Sequence, residues 1–282
     1  MLRCGKRALD LSRPNVMGIL NVTPDSFSDG GQLYRDQRLN IDALLARAEQ
    51  MLAEGATLLD IGGESTRPGA APVTENEELD RVLPAVEAVA GRLDVVVSVD
   101  SSNPTVMQEA AHLGAGLLND VRGFRREGAL QAAAASGLPL CVMHMQGEPD
   151  TMQSAPHYDD IIEDINDFFG ERLAACEAAG VAAERIIWDP GFGFGKTAAQ
   201  NFELLARLPE IATQGRPLLV GLSRKSMIAS VIDRPPLDRV HASVALAMLA
   251  VQRGAQIVRV HDVCATVDAL AMWSALPHGM DS

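Results

Sequence analysis

Short apolar runs rich in Val, Ile and Leu recur along the chain at 16–21, 57–61, 95–99, 117–119, 138–143, 185–189, 217–221 and 256–260. The segments between them carry apolar residues at helical spacing, and helices are expected at 41–53, 76–90, 104–113, 159–179 and 239–253. Strand-like runs alternating with helical patterns are the signature of βα units around a parallel sheet. The phrases Glu54-Gly55-Ala56, Leu113-Gly114-Ala115 and Arg253-Gly254-Ala255 each close a helical segment and lead directly into a strand, with Gly where a helix C-cap needs it. Eight such units fit either a closed (β/α)8 barrel or an open doubly wound sheet, and periodicity does not separate the two.

Composition narrows the class. At 282 residues, 47% hydrophobic and 22% charged, the chain is expected to fold as one α/β domain over 1–282, with a core from about 14 to 274. The net charge of −13 weighs against nucleic acid and against an anionic membrane surface, so an anionic substrate needs a local cluster of cations. Cys4, Cys141, Cys176 and Cys264 are scattered without CxxC spacing, which argues against a zinc site or a disulfide framework and fits a reducing cytoplasm. Arg3, Lys6 and Arg7 are not followed by an apolar h-region, and charges interrupt every hydrophobic run. Neither a secretion signal nor a membrane span is expected.

Candidate chemistry collects at the C-terminal ends of the apolar runs, where βα loops build active sites in barrels. Asn21, Asp60, Asp100, Asn119 with Asp120, His144, Asp189, Ser223 with Lys225, and Arg259 with His261 all follow or close a run. A single Asp or Asn there is commonly a helix N-cap, and Asp25 and Asn103 read that way; eight together read as a site. Two long polar loops, 21–31 with Phe27 and 62–69 with Arg67, read as substrate covers.

The run Asp189-Pro-Gly-Phe-Gly-Phe-Gly-Lys-Thr197 fails as a nucleotide loop. Pro190 stands where a Walker loop needs Gly, and Lys196 where a dinucleotide fingerprint needs it. Its alternating Gly and Phe suit close backbone approach beside an aromatic ligand, or a plain structural turn. Strand alternation puts Arg259 and His261 on one face, as an anion site or an internal salt bridge. His144 reads either as a pocket residue or as a satisfied buried one. His112, His157, His241 and His278 read as surface or helix residues. No HExxH or GxSxG pattern occurs.

Taken in order, Met17-Gly-Ile-Leu-Asn-Val-Thr-Pro-Asp-Ser-Phe-Ser-Asp-Gly-Gly31, Gly62-Gly-Glu-Ser-Thr-Arg-Pro-Gly69, Ser98-Val-Asp100, Asn119-Asp120, Met143-His-Met-Gln-Gly147, Asp189-Pro-Gly-Phe-Gly-Phe-Gly-Lys196, Gly221-Leu-Ser-Arg-Lys-Ser226 and Arg259-Val-His-Asp-Val263 closely resemble the dihydropteroate synthase family. The resemblance implies the closed TIM barrel. It also implies the reaction, in which p-aminobenzoate displaces diphosphate from the methylene of a hydroxymethyl-dihydropterin diphosphate by a dissociative route.

By match to the family, Asp100, Asn119, Met143, Asp189, Gly221 and Lys225 bind the pterin. Asn21, Arg259 and His261 hold the diphosphate, with Mg²⁺ on Asn21. Thr66, Arg67, Pro68, Phe194, Ser223 and Lys225 receive p-aminobenzoate, and Phe27 and Asp29 close over the site. Lys225, Asp100, Asp189 and Arg67 are the implied catalytic residues. The resemblance further implies small-molecule substrates, competition by sulfonamides and a homodimer.

Two departures stand out. Ser101-Ser102-Asn103 replaces the Thr-rich phrase usual in the family and bears on pterin affinity, and His241-Ala242 stands where a Gly before Ser or Thr is usual and bears on packing. A methyltetrahydrofolate-dependent corrinoid methyltransferase would share the Asp and Asn pocket but has no evident use for Phe27, the Ser65-Thr-Arg-Pro68 loop or the Arg259 and His261 pair. A non-catalytic pterin binder is opposed by intact Arg67, Lys225 and Arg259.

Overall fold

All eight apolar runs are strands of one parallel sheet in the computed structural model, which describes residues 1–23, 33–35, 38–65, 70, 72–148 and 151–276. The strands are β1 (Asn15–Asn21), β2 (Leu58–Gly62), β3 (Val96–Asp100), β4 (Leu117–Asp120), β5 (Leu140–Met143), β6 (Ile186–Asp189), β7 (Leu219–Val220) and β8 (Ile257–Val260). Neighbours in sequence pair from β1 to β6, and β8 pairs with both β7 and β1. A parallel bridge between Trp188 and Leu218 spans the remaining gap, with the Trp188 amide donating to the Pro217 carbonyl at 2.9 Å. The sheet is therefore a nearly closed barrel, and the doubly wound alternative is excluded because the first strand pairs with the last and the bridge joins β6 to β7, so the order runs round on itself.

The helices α1 (Ile41–Ala53), α2 (Glu75–Arg92), α3 (Pro104–His112), α4 (Ala129–Ser136), α5 (Ile161–Ala178), α6 (Ala198–Ala206), the single turn α7 (Ser226–Ala229), α8 (Val240–Gln252) and α9 (Val263–Ser274) lie between and after the strands. Their starts are chemically defined. Thr74 with Glu77 and Thr197 with Gln200 form capping boxes for α2 and α6, and the Asn103 side chain accepts from the Thr105 amide, the N-cap expected of it. The repeated corner after α1, α3 and α8 is a left-handed glycine at Gly55, Gly114 and Gly254, with φ of +102°, +107° and +101°. The short, Ala-rich α4 carries no clear apolar stripe, which explains why helical spacing alone does not mark it.

A two-residue period stacks the barrel interior into layers. The lowest layer takes one apolar side chain from each strand: Met17, Leu58, Val96, Leu117, Cys141, Ile187, Leu219 and Ile257. A hairpin formed by Leu2–Cys4 and Arg7–Leu9 plugs this end, packing Leu2, Cys4 and Leu9 onto the layer. These residues lie outside the 14–274 span that the sequence pattern marks, so the core continues into the N-terminal segment. Residues on the opposite strand faces, among them Leu59, Val97, Leu118, Val142, Trp188 and Val258, pack outward into the larger core beneath the helices.

Candidate active site

Two residues further along each strand the chain returns to the barrel interior, and the chemistry changes. That layer is Ile19, Asp60, Ser98, Asn119, Met143, Asp189, Gly221 and Arg259; the next contains Asn21, Asp100, Ser223 and His261. Nearly every described residue of the predicted site therefore occupies two adjacent rungs at the C-terminal end of one barrel. The predicted residues Phe27, Asp29, Thr66, Arg67 and Pro68 lie outside the described residues.

Arg259 organises the polar rung. Its Nε donates to Asp60 Oδ2 at 2.5 Å and its Nη2 to Asp100 Oδ2 at 2.9 Å, while Asn119 Nδ2 also donates to Asp60 Oδ2 at 3.2 Å. Asp60 is fully buried. Burial pushes the Asp100 carboxyl up to about 8; the Arg259 charge opposes the shift, and Asp60 and Asp120 add to it. The second oxygen of Asp60 and the hydroxyl of Ser98 on the adjacent strand are buried without a partner, so the rung keeps hydrogen-bonding capacity that costs roughly 1–3 kcal/mol per group until it is met.

Asp189 and Lys225 form the opposite wall. Burial raises the Asp189 carboxyl despite Lys225 nearby and the Gly191 amide, which donates to its Oδ1 at 2.8 Å. Burial lowers the Lys225 amine to about 8, with Asp189 opposing. Lys225 Nζ donates to the Phe192 carbonyl and stands 4.7 Å from the centroid of the Phe194 ring. A Cβ added at Gly221 would lie 3.9 Å from both Lys225 Nζ and Arg259 Cβ, so its absence keeps the floor between them open. Val121, Met143, Met145 and Met152 form an apolar patch with Phe194 against it, a surface suited to a flat ring beside the polar wall.

The Gly-rich run is a turn whose alternation has a steric cause. Gly191 and Gly195 have positive φ, and a Cβ on them would fall 1.8 Å from the His144 carbonyl oxygen and 2.5 Å from the Gln146 carbonyl oxygen. The run is therefore a structural turn whose Phe194 faces Lys225. His144 proves to be a satisfied buried residue, bonded through Nδ1 to Lys196 Nζ at 3.0 Å.

Ser223 and His261 meet at the rim. Ser223 Oγ lies 3.0 Å from His261 Nδ1 and accepts from the His261 amide at 3.2 Å. The loop bearing Ser223 and Lys225 is held from outside by residues that strand periodicity does not reveal. Arg224, with φ of +60°, makes a bidentate pair with Asp262 at 3.0 and 2.5 Å, and Ser243 Oγ on α8 accepts from the Arg224 amide at 2.9 Å. The His241-Ala242 departure thus immediately precedes Ser243, the serine that holds the loop bearing Lys225. At the Ser101-Ser102 departure, Ser101 donates to buried Glu78 at 2.6 Å and Ser102 donates to buried Asp120. Asp120 also accepts from the amides of Arg122 and Phe124 at 2.9 and 2.7 Å, and Arg122 in turn grips both oxygens of Glu64 at 3.0 and 3.1 Å. This chain of contacts ties the base of the second long loop to β4, and its only sequence signal is Asp120 at a strand end.

The barrel end therefore sets paired carboxylates, a carboxamide and a lysine beside an apolar patch. The chain matches the model of the pterin-binding enzyme family over residues 17–261. It belongs to that family. It is 54% identical to the dihydropteroate synthase of Escherichia coli K12 over 268 residues, which cover 95% of this chain and 93% of that one. Solved dihydropteroate synthases superpose along its length: that of Yersinia pestis in a sulfonamide drug complex, with a TM-score of 0.93, 56% identity and 98% of both chains covered, and that of Burkholderia cenocepacia complexed with 7,8-dihydropteroate, with a TM-score of 0.86, 54% identity and 97% and 95% covered. Within the family the chain stands among the dihydropteroate synthases, transferases of folate biosynthesis.

Proposed function

We propose that the chain makes 7,8-dihydropteroate by joining p-aminobenzoate to the methylene of 6-hydroxymethyl-7,8-dihydropterin diphosphate, with the residue roles that follow. The observation that carries them is the convergence of Asp100, Asn119, Asp189 and Arg259 on two interior rungs of the barrel, with Lys225 reaching in from the loop after β7. Asp100, Asn119 and Asp189 offer the acceptors and the donor that pair with the ring N–H, amino and carbonyl groups. Met143 lines the apolar side and the bare Gly221 leaves room for the ring. A site that buries such groups rejects heterocycles that cannot pair with them.

The leaving diphosphate meets Arg259, whose Nη1 remains to offer when Nε and Nη2 are engaged by carboxylates, and the rim residues Asn21 and His261. The methylene C–O bond breaks ahead of amine attack, its electron pair leaving with the diphosphate. The arylamine nitrogen then supplies the pair for the new C–N bond and loses one proton to water or to the departing diphosphate. A carbon already cationic requires only a weak nucleophile, so the reaction asks for no strong general base. Lys225 bridges the two substrates: its ammonium contacts the pterin and stands 4.7 Å from the centroid of the Phe194 ring, and Phe194 and Ser223 with Thr66, Arg67 and Pro68 form the p-aminobenzoate subsite. Phe27 and Asp29 complete a cover that keeps water from the cation.

The donor set fits a magnesium ion held only partly by protein. Asn21 supplies one hard oxygen, and no group of three His, Cys, Asp or Glu among the described residues could hold a metal. When bound with the diphosphate, the ion would neutralise charge on its oxygens. Sulfonamides, bound by the Yersinia pestis relative, compete at the amine subsite of this chain, and a homodimer is the proposed assembly. No helix among the described residues is long and apolar enough to cross a membrane.

Purified protein supplied with Mg²⁺, p-aminobenzoate and the pterin diphosphate should release dihydropteroate and diphosphate in equal amounts. Pterin binding without turnover would overturn the synthase reading in favour of a non-catalytic binder or a corrinoid methyltransferase.

A further inference from the structure

Lys196 is a lysine with 3% exposure that the roles above do not use. Its Nζ has three partners at hydrogen-bonding distance: the Gly191 carbonyl at 3.0 Å, the Phe194 carbonyl at 3.1 Å and His144 Nδ1 at 3.0 Å. Two of the three belong to the Gly-rich turn and the third to the end of β5, so one side chain folds the turn around its own head and fastens it to the barrel. As an ammonium it donates all three bonds. As a neutral amine it donates two and accepts the third from His144 Nδ1–H, so the contacts persist in either state.

The turn in question is what Lys225 rests on. Lys225 Nζ donates to the Phe192 carbonyl, Phe194 presents its ring to the ammonium at 4.7 Å, and a Cβ on Gly193 would lie 3.0 Å from Lys225 Cδ. All three surfaces lie between Gly191 and Lys196, inside the loop closed by Lys196. Other staples hold the turn from outside. Asn201 accepts at Oδ1 from the Gly193 amide at 2.7 Å and donates from Nδ2 to the Lys196 and Thr197 carbonyls at 3.2 and 2.7 Å. Tyr158 Oη donates to the Gly195 carbonyl at 2.8 Å and Gln153 Nε2 to the Gly193 carbonyl at 2.8 Å. Within the turn, the backbone bond from the Phe194 amide to the Gly191 carbonyl spans 3.1 Å.

We propose that Lys196, seated on His144, is a positioning residue that sets the location of the Lys225 ammonium through the Phe192 carbonyl and the Phe194 ring. The inference rests on the synthase reading for its kinetic consequence but not for the contact itself. Lys225 is faced by Asp189, Lys196 and Arg259, and burial lowers its amine to about 8. Loosening the turn admits water to the amine.

The test compares Lys196→Met, His144→Leu and His144→Asn. An Asn carboxamide oxygen replaces imidazole Nδ1 as the partner of Lys196, whereas Leu removes it. Turnover per folded enzyme is expected to fall roughly 100-fold in Lys196→Met, the size expected when a catalytic group shifts by about 1 Å. It should fall in His144→Leu and stay near wild type in His144→Asn. The Lys225 ¹³Cε resonance, identified by its loss in Lys225→Ala, should titrate near 8 in the wild type and move toward the ordinary lysine value in Lys196→Met.

A lower melting temperature with unchanged turnover per folded enzyme and an unchanged Lys225 midpoint would make Lys196 a structural staple only and overturn the proposal. If Lys196→Met does not fold, the two His144 variants decide, equal turnover in both overturning it. If the wild type itself lacks synthase turnover, the reading of function fails while the Lys225 titration still judges the positioning.

Discussion

Arg259 on β8 reaches past β1 to Asp60 on β2, its Nε 2.5 Å from a carboxylate that is wholly buried. The pair anchors the polar rung, because removing the guanidinium leaves a buried charge uncompensated. Arg259→Ala should therefore destabilise the fold by about 3–5 kcal/mol and also raise KM for the pterin diphosphate more than KM for p-aminobenzoate. Thermal unfolding together with steady-state kinetics separates the two effects; an unchanged KM for the diphosphate substrate would remove Arg259 from the leaving-group site.

Lys225 titrates far below an ordinary lysine because burial disfavours its charge, to about 8. Its ammonium form prevails below that value and disappears as the pH rises through it. If the ammonium is the working form, kcat/KM should show an alkaline limb with a midpoint near 8, and Lys225→Arg, always charged, should move that limb to higher pH. Lys225→Ala should lower kcat by roughly 100-fold or more. A flat profile through pH 10 in the wild type would deny the ammonium a role.

The Arg122 and Glu64 pair, through two bonds of 3.0 and 3.1 Å, fixes the chain two residues ahead of Thr66, Arg67 and Pro68 in the sequence to the end of β4. Both side chains are partly exposed, so Glu64→Gln should change stability by no more than about 1 kcal/mol. Its effect should fall on KM for p-aminobenzoate, with pterin affinity measured by calorimetry left near wild type. Equal losses at both substrates would assign the pair to general packing.

The N-terminal hairpin closes the bottom of the barrel with Leu2, Cys4 and Leu9. Leu9→Ala should cost about 2–5 kcal/mol, read by chemical denaturation, with kcat of the folded enzyme unchanged because the site lies at the other end. A loss below about 1 kcal/mol would mean that the hairpin is not part of the cooperative core.

Gly191 passes so close to the His144 carbonyl that a methyl group has no place there, and its φ of +70° is unfavourable for any other residue. Gly191→Ala should destabilise the turn by at least about 1–3 kcal/mol and depress turnover along with stability. Retained turnover at full stability would show that the turn accommodates the change without moving Lys225.

The βα rhythm, the strand positions and the polar residues at strand ends were legible in the sequence because a parallel barrel imposes a two-residue period and a fixed working end. The ordered motifs carried the family. Periodicity could not say whether the sheet closed, since closure depends on Trp188 meeting Leu218 across the last gap, a contact between strands that no local pattern encodes. Tertiary structure alone decided which residue partners which. Asp60 and Arg259 lie 199 positions apart, Lys196 and His144 lie 52 apart, and Arg122 and Glu64 lie 58 apart. Local spacing reports which face of an element a side chain occupies, whereas the partner that offsets the burial of its charge is fixed only when the barrel brings distant strands together.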